Sequence, residues 1–351
     1  MTKRALSFLL AFSLLLAIFA NAAAGAEERS AEIYDVEGLK AVAGNPGGAY
    51  RLMNDLDMSG VEWVPLAFSG TFDGGGHTLY NLTVTQSGPD RRSAFDGNKK
   101  EYDTAFAGLF SVLENATVQN VKLVGVYVDI ENDSHCFAAG LAGYADRSTI
   151  KSCTVRGRVN MVSSGVMVGV AGLIGYGCGK IELCNVDVEL VFEDRNRDSR
   201  CEEFMGGILA CGIADIRTCM VDIDGYDSCH GYVHNGGVVG MYYHCRTKYD
   251  AGVVNDNIVS GQIHFFEDNP DRRAYCKAII GEDLSKPTQT KGNTDSFQSH
   301  ETKNFDVVLK PETCSAPDYT ETVIEPSGTQ WGYIRHSCTG CGYTWTDSYF
   351  R

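Results

Sequence analysis

Apolar residues along this chain alternate with polar ones over short stretches, and each stretch is cut off by glycine, asparagine, aspartate or serine. Val118, Val121 and Leu123 make one such run; Ile216, Cys219, Val221 and Ile223 make another. The three-and-four spacing of an amphipathic helix is missing, and the Val, Ile and Cys content is that of half-buried strands. The runs also recur. FAAGLAGYADRSTIKSCTVRG (137–157), VAGLIGYGCGKIELCNVDV (170–188), MGGILACGIADIRTCMVDIDG (205–225) and NGGVVGMYYH…VVNDNIVSG (235–261) each pair a Gly-apolar-apolar-Gly-like element with an Ile/Val-x-x-Cys/Asn-x-Val element. AGLFSVLENATVQNVKLVG (107–125) is a weaker copy, and the anchoring glycines, Gly108, Gly140, Gly172, Gly207 and Gly237, stand 32, 32, 35 and 30 residues apart.

Periods of this length mean stacked supersecondary units that cannot bury their apolar faces alone. A strand, a corner and a second strand in each repeat predict an all-β fold, a parallel β-helix whose coils lie about 4.8 Å apart. A propeller needs four antiparallel strands per blade and fits less well. Cys153, Cys184 and Cys219 occupy one slot of successive copies, flanked by Val121 and Asn257. That slot is expected to face inward as a ladder of small apolar groups. Parallel side-chain vectors there disfavour disulfides.

Residues 33–82 carry a more specific signal. In IYDVEGLKAVAGNPGGAYRLMNDLDMSGVEWVPLAFSGTFDGGGHTLYNL, a short helix precedes a strand holding Asp55 and Asp57, and a glycine-rich coil runs from Phe68 to Leu82. With AGLF at 107–110 and AGLAG at 139–143, this stretch resembles the opening of bacterial surface proteins with the GLUG motif. The resemblance covers about 33–284 and implies an exported, right-handed β-helix of adhesin-like type; the motif implies no chemistry. The stretch Val36 to Ala43, ended by Gly44-Asn45-Pro46, is expected to be a short helical cap over the open end of the solenoid.

Lys3 and Arg4 precede an apolar run from Ala5 to Ala20 and a small-residue site at Ala24-Gly25-Ala26, so 1–26 reads as a signal peptide. The β-helix is expected over 27–284, a polar linker over 285–313 and a small β module over 314–351. No later stretch is long enough to span a bilayer, so a secreted or surface-associated protein without membrane insertion is expected. The net charge of −15 becomes about −17 without Lys3 and Arg4, which disfavours nucleic acid as a partner. Thirteen cysteines in an exported chain suggest disulfides, but the repeat-locked placement limits these to one or two among rim candidates such as Cys136, Cys201 and Cys276.

Catalytic signatures are scarce. Gly175-x-Gly177-x-Gly179-Lys180 lacks the spacing and hydroxyl of a phosphate loop. The paired aspartates that a polygalacturonase-like enzyme would show are absent, and Asp55 and Asp57 read as corner-capping groups beside the turn residue His77. Cys338-x-x-Cys341 has zinc-knuckle spacing, with Cys314 and His336 as the nearest further ligands; a structural zinc ion, a disulfide and free thiols all stay open there, and no other cofactor is expected. Insertions at 86–105, 129–136, 192–203, 224–235 and 266–276 leave at one point of the repeat and should form one wall, while 242–252 leaves elsewhere. Loops on a rigid scaffold are where binding tends to reside. Arg195, Arg197, Asp198, His230, Tyr232, His234, Tyr242, Tyr243, Asp271, Arg272 and Arg273 are the candidate contacts to an extracellular glycan or surface protein. The expected function is non-catalytic binding or adhesion; the alternatives are a polysaccharide lyase or glycoside hydrolase of β-helix fold, and a spacer.

Overall fold

The computed structural model describes residues 30–95, 100–195, 201–243, 252–266, 274–284, 289–302, 319–324, 332–338 and 344–350. The chain winds into a parallel β-solenoid of about five turns. The coils stack their strands on three sheets, with sheet 1 receiving two short strands from some coils. Sheet 1 stacks Phe110–Glu114, Ala142–Lys151, Ile174–Glu182, Leu209–Arg217, Val239–Tyr242 and Ile280–Asp283. Sheet 2 stacks Lys122–Asn132, Thr154–Ser163, Asn185–Asp194, Met220–Asp227 and Ile258–Phe266. Sheet 3 stacks Glu101–Ala107, Cys136–Ala139, Met167–Ala171, Glu202–Gly206, Tyr232–Gly236 and Ala274–Lys277.

Two columns explain the repeat. At the corner from sheet 3 to sheet 1, a Cβ on Gly172 would sit 2.3 Å from Val186 Cγ1 and 2.4 Å from the Gly207 carbonyl oxygen. Gly207 meets Val221 and Gly237 in the same way. The anchoring glycine is therefore demanded by the narrow corner, where it faces the valine column of sheet 2. The residue after it (Leu141, Leu173, Ile208, Val238) is fully buried. At the corner from sheet 1 to sheet 2, the expected slot is a continuous ladder. Asn185 N donates to Cys153 O (2.9 Å), Met220 N to Cys184 O (2.9 Å) and Ile258 N to Cys219 O (2.9 Å). The three thiols are buried and donate to the main-chain carbonyls of Lys151, Glu182 and Arg217, each at 3.4 Å. Asn257 ends the thiol run by accepting from Cys219 N at 2.9 Å, and its own amide nitrogen donates to Asn293 Oδ1 at 3.0 Å.

The residue before each slot turns the corner in the left-handed region: Asn120, Ser152, Leu183, Thr218, Asp256 and Gly292 have φ between 52° and 70°. Asparagine, aspartate and glycine tolerate this conformation, whereas a leucine there costs about 1–2 kcal/mol. Leu183 is half exposed, so packing does little to offset that cost.

The amino-terminal end is closed as expected. Asp35 accepts from Gly38 N (2.8 Å) and starts α1 (Val36–Lys40), and Leu39 and Val42 bury fully. Beneath lie Tyr50, Phe68, Phe72 and Phe110, with ring centroids 5.5–6.1 Å apart, and Trp63 Nε1 donates to Leu109 O at 3.0 Å. No helix among the described residues is long and apolar enough to cross a membrane.

The other end differs from expectation. Within the stretch read as a linker, Gln289–Lys291, Thr294–Asp295 and Gln298–Thr302 pair in parallel with the strands of the preceding coil. The polar composition of 285–304 had hidden this coil, because parallel main-chain pairing places little demand on outward side chains and the coil, as the terminal one, lacks a full apolar core. Tyr319–Ile324, Gly332–Cys338 and Thr344–Phe350 then form a separate antiparallel sheet. Cys136 and Cys201, expected at the rim, are buried and Cys276 is partly buried; all three are free thiols. Cys136 shares an inward register with Val168, which removes it from the rim.

Two substitutions test this account. Leu183→Asn should raise the thermal midpoint, with a gain of about 1 kcal/mol from relief of left-handed strain. Gly172→Ala should destabilise by about 3 kcal/mol, because the methyl meets main chain as well as Val186. Thermal unfolding followed by circular dichroism reads both, and an unchanged midpoint for Gly172→Ala would remove the narrow-corner explanation.

Candidate functional site

Sheet 2 passes to sheet 3 at one corner, through the short connections 133–135, 164–166 and 228–231, while 196–200 and 267–273, read as loops of the same wall, lie outside the described residues. Its expected residues are distributed differently from the expectation. Arg195 is exposed, yet it pairs with Glu131 and lies 3.6 Å from Asp133, two coils earlier. Tyr232 is exposed at 42%. His230 is largely enclosed, with its main-chain N donating to Asp194 Oδ2 at 3.2 Å. His234, Tyr242 and Tyr243 are buried and cannot meet a macromolecular ligand. His234 stacks between Phe204 (5.1 Å) and Tyr275 (5.7 Å), with Nδ1 2.9 Å from Glu282 Oε2. Burial pushes the Glu282 carboxyl up, but the bond and charge of His234 hold it below its ordinary value. Tyr242 receives Ala214 N on its hydroxyl at 3.0 Å and donates to Ala214 O. In both cases a polar tip satisfied inside the fold resembles a surface residue when read from sequence. Arg197, Asp198, Asp271, Arg272 and Arg273 lie outside the described residues, as do Cys314 and Cys341; His336 and Cys338 stand on the strand Gly332–Cys338.

The most ordered polar surface is the outer face of sheet 2. Strict parallel register aligns Arg156, Asp187, Asp222 and Ser260 in one row and Arg158, Glu189, Asp224 and Gln262 in the next. Arg156 Nε lies 3.8 Å from Asp187 Oδ2, both half exposed, whereas Arg158 and Glu189, with Nε 3.8 Å from Oε1, are largely enclosed. Desolvation against the sheet pushes the Asp187 carboxyl above its usual range; Arg156 pulls it back and Asp222 adds to the rise. A third row ends in a stack, Tyr226 on His264 at 5.3 Å and His264 on His300 at 4.6 Å. The Tyr226 hydroxyl donates to Asp224 Oδ2 (3.1 Å), and Gln262 Nε2 donates to Asp224 Oδ1 (3.2 Å). Burial, reinforced by Asp224, pushes the Tyr226 phenol up. This face was legible in the repeats: the charged pairs fall three and five residues after each cysteine slot, at 156/158, 187/189 and 222/224.

Two further polar groupings are spent locally. Asp57 accepts from Ser59 N (3.0 Å) and Asn81 Nδ2 (3.0 Å), while Asp55 accepts from Thr78 N (3.0 Å) beside His77; both cap corners. An open cleft lined by Arg51, Asp73, Asn120 and Lys122 has Asp73 bonded to Asn120 and Gly75 N.

No family model matches the chain, so the likeness to GLUG proteins rests on the motif residues alone. Halomucin of Haloquadratum walsbyi (strain DSM 16790 / HBSQ001) is 31% identical over 171 residues, covering 43% of this chain and 2% of Halomucin. A solved structure of an IgA1 Protease aligns with 80% of this chain and 21% of its own length, at 14% identity and a TM-score of 0.48. The chain therefore spans a small part of either protein.

The histidine stack predicts a pH dependence. Burial, and then the neighbouring His300, hold His264 below its ordinary value of 6.5. The unfolded chain then binds the proton first, so this group's stabilisation is present above about pH 6.5 and is lost as pH falls below it. The thermal midpoint should drop between about pH 7.5 and pH 5, and less so in His264→Phe, which keeps the ring stack without the titration.

Proposed function

We propose that the chain is a secreted or cell-surface β-solenoid that binds an extracellular glycan, without catalysis, along the outer face of sheet 2 and the loop corner beside it. The observation that carries this reading is the aligned, solvent-exposed row Arg156–Asp187–Asp222, repeated at the coil spacing on a rigid sheet beside the largely enclosed row Arg158–Glu189–Asp224. A linear polymer of hydroxylated units can meet such rows one coil at a time, with carboxylates accepting from hydroxyls and arginines donating. Four carboxylates on this face favour a neutral chain over a uronate-rich one. The apolar leader after Lys3 and Arg4, and the likeness to a protein named as a mucin, support a location outside the cell.

The lyase or hydrolase reading keeps one supporting observation, the clustering of Asp187, Glu189, Asp222 and Asp224 beside arginines. It is the weaker of the two, since both arginines are directed at carboxylates of the next coil.

A glycan array with the full chain tests the proposal. Binding to neutral polysaccharides is expected, with a loss of at least tenfold in Asp187→Asn/Asp222→Asn and little change in Tyr232→Ala. Equal binding by the double variant would move the site off this sheet, and no binding at all would leave the spacer reading. Release of reducing or unsaturated ends from any polysaccharide would replace binding by catalysis.

A further inference from the structure

The outer face of sheet 2 is open at one end of its strands and closed further along. On Thr154–Ser163 and Asn185–Asp194 the inward positions are the core residues Val155, Val159 and Met161, and Val186, Val188 and Leu190, so the residues between them point outward. Arg156 and Asp187 behave as a free surface and are half exposed. Four residues on, Asn160 is 1% exposed and Val191 2%. Register places these two side by side, in one outward column with Asp129 and Tyr226. Arg158 and Glu189, between the open and the closed positions, are largely enclosed. Val191 is buried without joining the apolar core of the solenoid. Asn160 donates its amide to Asp129, while its Oδ1 is buried with no donor among the described residues. Side chains standing together on one face leave their tips to solvent, as Arg156 and Asp187 do. An outward valine this deeply buried therefore requires a further layer over the sheet.

The strand Thr344–Phe350 lies alongside Lys122–Asn132, the strand that carries Asp129 at the edge of this closed patch. Its chain can return that far. Gln298–Thr302 stands five coil steps along sheet 2 from Lys122–Asn132, a distance of about 24 Å, and the connection 303–318 spans about 50 Å when extended. The carboxy-terminal strands also need a surface. Tyr319–Ile324, Gly332–Cys338 and Thr344–Phe350 make one three-stranded antiparallel sheet, a unit below the size that buries a core of its own, and 319–350 includes Trp331, Tyr333, Trp345, Tyr349 and Phe350. We propose that the outer face of sheet 2, over the column Asp129–Asn160–Val191, is the docking surface for this chain's own carboxy-terminal module, 319–350. Seated there, the module encloses Arg158 and Glu189 and leaves Arg156, Asp187 and Asp222 open. It thereby keeps the second polar row from a glycan that reaches the first, a consequence that rests on the glycan reading above; the docking itself does not.

Thiol labelling of the full chain tests the docking without any glycan. A maleimide should modify Asp187→Cys freely and Asn160→Cys at least tenfold more slowly, each read by mass analysis of the peptide that carries it. Glu189→Cys replaces Asn160→Cys if that variant does not fold. Once the module is cut away at a protease site placed within 303–318, the protected thiol should react as fast as Asp187→Cys. Val191→Glu, at an outward position that lies outside the core, should have the same effect in the uncut chain. Equal labelling of the two positions in the uncut chain would mean an open face and overturn the proposal. Protection that outlasts removal of the module would assign the layer to the connection 196–200, and protection lost on dilution of the uncut chain would assign it to a second copy; either result overturns it. Binding of neutral polysaccharides should rise when the module is removed. If protection is lost with the module while binding stays the same, the docking holds and the glycan reading of the second row falls.

Discussion

Parallel main-chain hydrogen bonding from coil to coil is the constraint on which this molecule depends. Each strand of sheet 2 finds its partners in the coils before and after it, and the corners keep the same bonds, as the Cys153, Cys184 and Cys219 carbonyls show. Register is thereby locked, and a side chain can answer only to its own column. Where two columns crowd, one must be glycine, which is why Gly172 and Gly207 face Val186 and Val221. Where the chain must turn left-handed, the column holds Asn, Ser, Thr, Asp or Gly, and Leu183 is tolerated there at a cost.

The same constraint organises the polar groups. Outward columns on sheet 2 become rows of arginine and carboxylate without any dedicated loop, because side chains alternate in and out along each strand and repeat at each coil. Inward columns cannot host charge without compensation. At one level they hold two carboxyls, Glu203 and Asp227, which burial pushes above their ordinary values and so toward the neutral form. A stacked architecture gives such an interruption two neighbours of ordinary apolar core.

Much of this was legible in the repeats. The thiol slot, the glycine corner and the helical cap were visible because they recur at fixed offsets or stand at a marked boundary. The charged rows were equally periodic and could have been read from Arg156/Arg158, Asp187/Glu189 and Asp222/Asp224. The final coil at 289–302 was hidden by its polar side chains, since its pairing is carried by the main chain. His234 and Tyr242 suggested an accessible surface because a ring with a polar tip has the same composition whether its tip meets water, Glu282 or the Ala214 main chain.

By itself the sequence determined the stacking, its period and the columns that fill the axis, because a repeat that cannot bury its apolar face alone has one way to do so. Only the tertiary structure decided which polar residues turn inward at the corner of sheets 2 and 3. The connections there differ in length from coil to coil, so no alignment of copies places Asp194, Cys201 and Cys229 opposite one another. Closure of two successive coils brings those atoms together, and direction at a corner is set by where the chain must arrive, a property of the neighbouring coil.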